Sequence, residues 1–540
     1  HNNVPGGGYR VCWASTPSQT PPLKTNSDYA IDAGLFTLNG PVQSNHQCTL
    51  TVSCQITLTG SGLSLGSHGL LLLAEGASCG STASTANATG SSWTNPAAAA
   101  VDTFTFNIPT QGTPSSNYVI CWAFQPSTQT DYSVYVGTFQ LGGPNPLTGS
   151  SCIKGESCVI TLTGIGFANT NKILVIDTGS SCGASATPAT FSPMTVETLV
   201  QDGVFTEYQF GRPNEGTAQS GYTMCWSASP SATADFTLTL GDLTVTGPNV
   251  QNVACTFGLS CVLQLIGLQL QTTNKMIVLS AGSCGDNGPT LSSVTGMLNA
   301  ISVTDQSPYD SYDLGTPLAG QPRTDYQLCW ASAPADGAGA AFYRVPVGLL
   351  TLNGPVQVSQ TCTMSLQCVI TLTGVGLAAS NQILLIDGDG SCGSSSPMTA
   401  TFDGLTNPSG PSADVAVYNL GIARTTSDGP GSGYKVCWGH DGGNDYWNIE
   451  LGTFSIDGPA AQGTAVTCTM GLSCTIQVTG VNLAATNQIA ITALSDTCGQ
   501  ATLNLASFPG ATNPVGTTGT FDRFDIGIPT GGQPGDYKVC

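Results

Sequence analysis

The sequence predicts an all-β protein, a tandem array of immunoglobulin-like β-sandwich domains of about 105 residues each. Three observations lead to this prediction. A Cys-Trp pair recurs at near-equal intervals, the residues around it alternate between apolar and polar as in half-buried strands, and a Tyr precedes the pair after a Gly-containing corner. No stretch shows the periodicity of an amphipathic helix, so the repeats are expected to contain strands and turns alone.

The Cys-Trp pair measures the repeat. Successive pairs, with the final cysteine of the chain as the last mark, are 109, 104, 104, 108 and 103 residues apart. A Gly-Pro dipeptide keeps the same period. Its prolines are Pro41, Pro144, Pro248, Pro355 and Pro459. A fixed period of this length indicates one folded unit per repeat.

The Gly-Pro dipeptides divide the chain into predicted segments. Residues 1–41 hold only the last strands of an Ig-like domain, and 460–540 form a partial repeat without the last strand. Between them lie Ig-like repeats at 42–144, 145–248, 249–355 and 356–459. Because both ends of the chain fall at the same phase of the repeat, we expect these 540 residues to be a window of a longer chain.

Within each period the strands are predicted in the order of a sandwich. "CVITLTGIGF" (158–167) indicates a strand that ends at a glycine turn, and "NKILVID" (171–177) indicates the next strand. Later strands contain the Cys-Trp pair and end at the Gly-Pro dipeptide. About seven short strands in roughly 100 residues are typical of an Ig-like sandwich, and the Tyr of "GSGYKVC" occupies the place of a tyrosine corner.

The strand that carries the Cys-Trp pair predicts which face is buried. Side chains alternate across a strand, so Tyr434, Val436 and Trp438 share one face and Cys437 points to the other. The apolar trio is expected to face the core. Cys437 is therefore not expected to form the central inter-sheet bridge of an antibody domain.

Cysteines recur four to a repeat: a Cys-x5-Cys pair, a Cys-Gly 23 to 25 residues later, and the Cys-Trp cysteine. Recurrent cysteines without a repeated His favour disulfides over a zinc site. Four cysteines allow three connectivities, which the sequence leaves open. We favour a bridge within each Cys-x5-Cys pair and one from Cys-Gly to Cys-Trp, because the latter two strands are sheet neighbours. Pairing within domains leaves Cys12 without a partner. The disulfide candidates are Cys48, Cys54, Cys79, Cys121, Cys152, Cys158, Cys182, Cys225, Cys255, Cys261, Cys284, Cys329, Cys362, Cys368, Cys392, Cys437, Cys468, Cys474, Cys498 and Cys540.

Composition limits the classes of function. Only 8% of residues are charged and the net charge is −20, so Ser, Thr, Asn, Gln and Gly must cover the surface. The few Lys and Arg residues form no cluster that could bind nucleic acid phosphates. No apolar run is long enough to insert into a membrane. Disulfide-bonded repeats predict an extracellular protein, secreted or part of a cell-surface appendage.

No catalytic, metal or cofactor site is predicted, and the chain is not expected to be an enzyme. The four histidines lie at different phases of the repeat, and no pattern of Ser, His and Asp recurs. "DGDGS" (387–391) resembles the start of a calcium loop, but its acids do not recur and a plain acidic turn is favoured. A secreted glycan-degrading enzyme would need a carboxylate pair confined to one repeat, and none is found.

Two patterns indicate covalent modification. Asn87-Ala-Thr is an N-glycosylation sequon in a Ser/Thr-rich segment. A proline five residues after the Cys-Trp cysteine lies in a polar loop that could be O-glycosylated or carry hydroxyproline, although a simple hairpin-loop proline is the alternative. These prolines are Pro17, Pro126, Pro230 and Pro334.

The combined pattern, Cys-x5-Cys followed by "ITLTG", Cys-Gly, "YxVCW" and "GTFxLxGP", resembles the tandem Ig-like repeats of large secreted algal and protist proteins. Some members of that family build flagellar hairs, called mastigonemes, or other extracellular fibrils. Many members read Cys-Trp-Cys, whereas the third position here is Ala, Ser or Gly. The resemblance implies a structural, glycosylated, extracellular protein, and it implies no catalytic residues.

We therefore predict a structural subunit of an extracellular filament, whose partners are copies of itself or neighbouring chains and covalent glycans. Short Gly-Pro junctions favour a stiff array, because little free linker remains between the repeats. The alternative is a cell-surface adhesin that displays a binding domain on a rod of repeats. Its one candidate loop is "GHDGGNDYWN" (439–448), where Tyr446 and Trp447 either form an aromatic platform or begin the last strand.

Overall fold

The computed structural model describes residues 5–15, 26–63, 67–99, 101–201, 204–426, 429–442 and 447–540. The chain divides into two compact units, His1–Asn249 with Gly267–Leu270 and Val250–Ile266 with Gln271–Cys540. The four central ranges proposed above serve as labels: R1 is 42–144, R2 is 145–248, R3 is 249–355 and R4 is 356–459. Regular structure in the described residues consists of β-strands and short 3-10 turns.

Strands of the flanking segment and of R1 and R2 come first in the chain. Segment 1–41 contains Gly6–Trp13, Ile31–Leu38 and Gly40–Pro41, with a 3-10 turn at Asn26–Asp28. R1 contains His46–Thr49, Cys54–Thr57, Gly60–Ser61, His68–Leu73, Ala88–Thr89, Ala97–Ala99, Thr103–Asn107, Gln111–Gly112, Ser115–Phe124 and Val134–Pro144, with a 3-10 turn at Gln129–Asp131. R2 contains Ser150–Ile153, Cys158–Thr161, Gly164–Ile165, Lys172–Ile176, Ser192–Pro193, Glu197–Gln201, Val204–Gly211, Pro213–Glu215, Gln219–Ser227 and Leu238–Pro248, with a 3-10 turn at Thr233–Asp235.

Strands of R3, R4 and the final segment follow the same order. R3 contains Val253–Thr256, Cys261–Gln264, Gly267–Leu268, Lys275–Ala281, Thr290–Leu291, Thr295–Met297, Ile301–Ser302, Ser311–Ala319, Arg323–Ala331 and Val345–Pro355, with a 3-10 turn at Ala340–Phe342. R4 contains Gln360–Thr363, Gln367–Thr371, Gly374–Val375, Gln382–Asp387, Phe402–Leu405, Val417–Thr426, Gly431–Gly439 and Ile449–Pro459. Segment 460–540 contains Cys474–Gln477, Gly480–Val481, Gln488–Ile489, Ile491–Ala493, Val515–Gly516, Arg523–Gly527 and Tyr537–Val539.

R4 illustrates the sandwich. One sheet has the order Gln360–Thr363, Ile449–Pro459, Gly431–Gly439, Gln382–Asp387, and the other pairs Gln367–Thr371 with Val417–Thr426 and Phe402–Leu405. The first strand runs parallel to the last, and the other pairs in these sheets are antiparallel. Two facing sheets with this strand order confirm the predicted all-β, Ig-like fold.

The predicted tyrosine corner is present in every repeat. The hydroxyl of Tyr118 donates to the backbone oxygen of Thr113 over 2.7 Å, and that of Tyr222 donates to Thr217 over 2.9 Å. Three further pairs do the same: Tyr326 with Gln321, Tyr434 with Gly429, and Tyr537 with Gln533. This bond ties the Cys-Trp strand to the loop before it, as in Ig-like domains.

The main core lies between the sheets and contains the Trp of the Cys-Trp pair. In R2 the buried Trp226 donates its indole N–H to the hydroxyl of Tyr208 over 3.2 Å. R3 has the equivalent bond, from Trp330 to Tyr312 over 3.3 Å. Burial raises the pKa of both tyrosines to about 12. A buried indole N–H needs such a partner, because an unmatched polar group costs free energy.

The opposite face of the same sheet is buried as well. In R2 the side chains of Leu174, Ile176 and Cys225 form a second cluster with Phe236, separate from the main core. Phe236 directly follows the 3-10 turn Thr233–Asp235, which folds this loop over the sheet. Strand Lys172–Ile176 is therefore covered on both faces, which explains its nearly continuous apolar sequence. As expected, the Cys-Trp cysteine and its flanking Trp lie on opposite faces.

Candidate functional site: the junction between repeats

The Gly-Pro dipeptides of R1 to R4 are the ends of long strands, and Gly40–Pro41 is a short strand of its own; each pairs with the next repeat. In R1 this strand is Val134–Pro144, and its last two residues pair with Ile165 and Gly164 of R2. The N–H of Asn145 adds a backbone bond to the oxygen of Thr163 over 2.7 Å. The same pairing recurs four more times. Gly40–Pro41 pairs with Gly60–Ser61, Gly247–Pro248 with Gly267–Leu268, Gly354–Pro355 with Gly374–Val375, and Gly458–Pro459 with Gly480–Val481.

The glycine of the "TG" bend is a steric requirement of this junction. A Cβ atom on Gly164 would lie 2.2 Å from the backbone oxygen of Gly143, and one on Gly60 would lie 2.2 Å from that of Gly40. The equivalent distances at Gly267, Gly374 and Gly480 are 2.6, 2.2 and 2.3 Å. No side chain fits where two backbones approach so closely. These glycines therefore belong to the site, and the sequence prediction missed them although "TG" recurs with the Gly-Pro dipeptide.

The Cys-x5-Cys turn packs against the glycine of the Gly-Pro dipeptide. In R1 the third residue of this turn, Leu50, is fully buried, and a Cβ on Gly143 would lie 2.7 Å from its Cδ1 atom. Phe257 and Met364 have the same place in R3 and R4. Gly143 also has a φ of 148°, which an L side chain rarely adopts. The disulfide-bonded turn thus supports the point at which the strand leaves its own repeat.

In R2 this apolar position is occupied by a lysine. Lys154 is fully buried, and its ammonium group donates to the backbone oxygens of Pro248 and Gly216, each over 2.9 Å. Desolvation lowers the pKa of Lys154 to about 8, against a smaller opposite effect of Glu215. Pro248 is the last residue of the Gly-Pro strand of R2. The lysine therefore bonds directly to the junction that the apolar residues of the other repeats only pack against.

The fourth residue of the Cys-x5-Cys turn contacts the next repeat. Between R1 and R2, the hydroxyl oxygen of Thr51 accepts a bond from the N–H of Ala228 over 3.0 Å. Between R3 and R4, the side-chain amide of Asn448 donates to the oxygen of Gly258 over 2.8 Å. Gln357 adds bonds to the oxygens of Leu318 in R3 and Glu450 in R4, over 3.4 and 2.8 Å. Each of these junctions thus has a continuous strand on one side and a turn contact on the other.

The structure joins the twenty candidate cysteines in pairs with Cα–Cα distances of 5.3 to 5.7 Å. Bridges within the Cys-x5-Cys turns are Cys48–Cys54, Cys152–Cys158, Cys255–Cys261, Cys362–Cys368 and Cys468–Cys474. Bridges from Cys-Gly to the Cys-Trp strand are Cys79–Cys121, Cys182–Cys225, Cys284–Cys329, Cys392–Cys437 and Cys498–Cys540. Cys12 is exposed and forms no disulfide in the described part of the chain. Disulfides in every repeat are typical of extracellular and cell-surface proteins.

The modification candidates lie away from the junction strands. Asn87 is exposed, and its side-chain amide donates to the Thr113 hydroxyl over 2.7 Å. Pro126, Pro230 and Pro334 are half-buried in the loops that follow the Cys-Trp strands. Pro17 lies outside the described residues. Glycan attachment at these positions stays a prediction.

An aspartate closes two of the proline loops. Its carboxylate accepts backbone N–H bonds from Ser127 and Thr128 in R1, where the aspartate is Asp131. Asp235 does the same in R2 with Ser231 and Ala232. These backbone bonds hold the pKa of both carboxyls below the usual value. The loops are therefore structured before any modification.

Trp447 of the loop 439–448 does not begin a strand. The last strand of R4 starts at Ile449, and Trp447 precedes it and packs against the cluster of Leu384, Ile386 and Cys437. Tyr132, Phe236 and Tyr343 have the same place before the last strands of the other repeats. The alternative that Trp447 begins the last strand is therefore wrong. Tyr446 lies outside the described residues.

The calcium-like sequence "DGDGS" forms a turn beside the side chain of Lys435. The ammonium group of Lys435 donates to the oxygen of Gly390 over 2.9 Å. Within the described residues, no group of three or more His, Cys, Asp or Glu side chains is placed to hold a metal ion. Over the same residues, no helix has the length and apolar character of a membrane span.

Comparisons with known proteins find similar structures but no sequence relative. No family model and no curated protein matches the sequence. The first four Ig domains of Dscam1 isoform 6.44 are 11% identical, with a TM-score of 0.14, over 77% of this chain and 97% of that chain. The insect immune protein hemolin is 9% identical, with a TM-score of 0.16, over 77% and 98%. A chain of the complex of Dpr2 Ig1-Ig2 with DIP-Theta Ig1-Ig3 is 10% identical, with a TM-score of 0.15, over 58% of this chain and 98% of that chain. The fold of this chain is shown by its own strand order and tyrosine corners.

Proposed function

We propose that this chain is a structural subunit of an extracellular, glycosylated filament or appendage, of the mastigoneme or fibril type, and that it has no enzymatic role. The observation that carries the proposal is the recurrent junction, in which a Gly-Pro strand pairs with the glycine bend of the following repeat. A strand shared by two repeats, with a second contact at the Cys-x5-Cys turn, restricts bending at the R1–R2 and R3–R4 junctions. Restricted bending at every step is what a load-transmitting fibre requires.

The proposed partners are copies of the chain or neighbouring chains, together with covalent glycans. The surface supports the glycan part, because only 8% of residues are charged and Ser, Thr, Asn, Gln and Gly must cover the chain. Asn87 and the loops at Pro17, Pro126, Pro230 and Pro334 are the proposed attachment points. Asn87 is exposed beside a Thr hydroxyl, and Ser127 and Ser231 are exposed next to Pro126 and Pro230.

The experiment is electron microscopy of native secreted material, with intact-glycopeptide mass spectrometry of the same sample. We expect filaments with a regular axial repeat, and glycans on Asn87 or on the proline loops. Dispersed particles without an axial repeat would contradict the filament. Unmodified peptides that cover Asn87 and all four prolines would contradict the glycoprotein part alone.

The adhesin alternative has less support. Its candidate platform requires exposed aromatic rings in the loop 439–448, whereas Trp447 packs against a buried cluster. Among the described residues, a cavity of about 380 Å³, lined by Arg323 and Tyr326 of R3 and Gln357 of R4 among others, is polar. Retention of a carbohydrate or protein ligand by dispersed chains would favour the adhesin.

A further inference from the structure

A hydroxyl residue followed by asparagine precedes the strand after the glycine bend in R2, R3, R4 and the final segment, and in R2, R3 and R4 both side chains bond to one backbone oxygen. In R2 the pair is Thr170–Asn171, and both side chains donate to the same backbone oxygen, that of Ala228, over 2.8 and 2.9 Å. In R3, Thr273 and Asn274 donate to Ser332 over 3.0 and 2.7 Å. In R4, Ser380 and Asn381 donate to His440 over 3.1 and 3.0 Å. We call this arrangement the hydroxyl-Asn clamp.

The asparagine of the clamp is buried, and both its side-chain oxygen and its side-chain nitrogen are hydrogen-bonded. Asn171 is only 2% exposed, and its side-chain oxygen accepts a bond from the N–H of Ala168 over 2.8 Å. The amide is thus bonded at both ends, to the bend in front of its own strand and to the end of the Cys-Trp strand. Asn274 and Asn381 make the same two bonds, with Gln271 and Ala378 as donors. A buried amide satisfied at both ends rigidifies the segments that it joins.

In R2 the residue that the clamp holds is also the residue that contacts the preceding repeat. The N–H of Ala228 donates to the hydroxyl oxygen of Thr51 in R1, and the hydroxyl of the neighbouring Ser227 lies 3.4 Å from the same atom. Ala228 therefore has its oxygen bonded within R2 and its N–H bonded to R1. Because both groups belong to one residue, bonds that fix the oxygen also limit the directions in which the N–H can point.

We propose that in R2 the hydroxyl-Asn clamp is a positioning device of the junction, which presents the end of the Cys-Trp strand to the Cys-x5-Cys turn of R1. This inference rests on the proposed function only in treating the junction as the functional site. The partner that it recognises is a disulfide-bonded turn with a hydrogen-bond acceptor at its fourth residue. In R2 that acceptor is Thr51.

R1 shows the same position without the clamp. Ser67 and His68 stand where R2 has Thr170 and Asn171, and in the described part of the chain the ring nitrogens of His68 have no hydrogen-bond partner. The residue equivalent to Ala228 is Phe124, which is 51% exposed. The clamp is thus separable from the fold, because R1 forms its sandwich without it.

The experiment measures hydrogen exchange of the Ala228 N–H in the full chain. Thr170→Val removes one donor at constant shape, and we expect Ala228 to exchange about fivefold faster, since the loss of one hydrogen bond weakens the local structure by roughly 1 kcal/mol. Thr51→Val should accelerate the same N–H directly. Thr273→Val, in the R3 clamp, is the matched control and should leave Ala228 unchanged. The N–H of Trp226, inside the sheet, reports whether R2 stays folded.

One result would overturn the proposal. If Thr51→Val accelerates exchange of Ala228 but Thr170→Val and Asn171→Ala change it less than twofold, the clamp does not position the junction. Should Asn171→Ala unfold R2, the outcome with Thr170→Val decides. The result is independent of filament formation, so failure to find filaments by microscopy would contradict the proposed function without affecting this test.

Discussion

R1 and R2 have the same strand order, the same two disulfides and the same junction strand, but they differ at several buried positions, and three of these differences concern polar bonding. The pairs are Leu50 and Lys154, His68 and Asn171, and Phe104 and Tyr208. In R2 the polar members have partners, namely backbone oxygens for Lys154 and Asn171 and the indole of Trp226 for Tyr208. In R1 the ring nitrogens of His68 and the indole N–H of Trp122 have none among the described residues. Polar bonds in the core are therefore exchangeable, whereas cysteines, glycines and strand alternation are shared.

The largest expected effect concerns a feature that both repeats share. Cys182→Ser with Cys225→Ser opens a bridge with a sequence separation of 43, and the loop-closure relation predicts a loss of about 4 kcal/mol in the stability of R2. Cys79→Ser with Cys121→Ser, separation 42, should weaken R1 equally. Native-state hydrogen exchange reports each repeat separately. A difference of more than about 2 kcal/mol between the repeats would show that these bridges are not equivalent.

The shorter bridges provide the control for that comparison. Cys152→Ser with Cys158→Ser opens a separation of only 6, for which the same relation predicts about 2 kcal/mol. A loss as large as that from the long bridge would mean that the turn acts through packing at the junction.

The next largest effect is expected from changing Lys154 of R2 and Leu50 of R1, which occupy the same position at the junction. Lys154→Met should stabilise R2 by about 1–2 kcal/mol at pH 7, because it removes a buried charge at the expense of two hydrogen bonds. Leu50→Lys should destabilise R1 by at least as much, since Leu50 has apolar surroundings. Thermal and denaturant unfolding followed through Trp226 and Trp122 would measure both. Destabilisation by Lys154→Met would mean that its two hydrogen bonds outweigh the desolvation of the charge.

The same lysine predicts a pH dependence of R2. Its pKa is about 8 in the folded state against 10.5 unfolded, so between these values the unfolded state binds more protons. Stability of R2 should therefore increase as pH rises from 8 to 10.5, by up to about 3 kcal/mol. Lys154→Met should abolish that increase, and R1 should not show it. An R2 whose stability is flat over this range would place the folded pKa of Lys154 near its ordinary value.

A smaller effect concerns the tryptophan of the core. Tyr208→Phe leaves the indole N–H of Trp226 without its partner and should cost R2 about 1–2 kcal/mol. The reverse change, Phe104→Tyr, would supply a partner to Trp122 and should stabilise R1 by up to about 1 kcal/mol if the extra hydroxyl fits. Exchange of core amides measures both changes. Equal and opposite values would show that the two cores are interchangeable at this position.

The smallest effect is expected from a substitution that gives R1 the asparagine of the R2 clamp. His68→Asn, next to Ser67, creates the sequence of a hydroxyl-Asn clamp and should stabilise R1 by about 1 kcal/mol. The gain should disappear when Ser67 is changed to Ala as well, if the new asparagine acts with the hydroxyl. Stabilisation that persists in the double variant would point instead to relief of the buried imidazole.

Much of the fold was predictable, because it depends on local and periodic features. Alternation in "CVITLTG" indicates which side chains face the core, and the Tyr of "GYTMC" indicates a tyrosine corner. The second buried face, formed by Cys225 and Phe236, was not predicted. It depends on a loop that folds back over the sheet, and no local pattern shows where such a loop packs.

By itself the sequence determined the repeat length, the strand alternation, the tyrosine corner and the all-β, Ig-like fold class, because each depends on the spacing and the type of residues. Only the tertiary structure decided the disulfide connectivity, the role of the "TG" glycines and the clamp on Ala228. These depend on which segments meet in space, and the partners lie about 20 to 60 residues apart or, for Thr51 and Ala228, 177 residues apart. Contacts between residues so far apart depend on how whole sheets pack, and no single stretch of sequence contains that information.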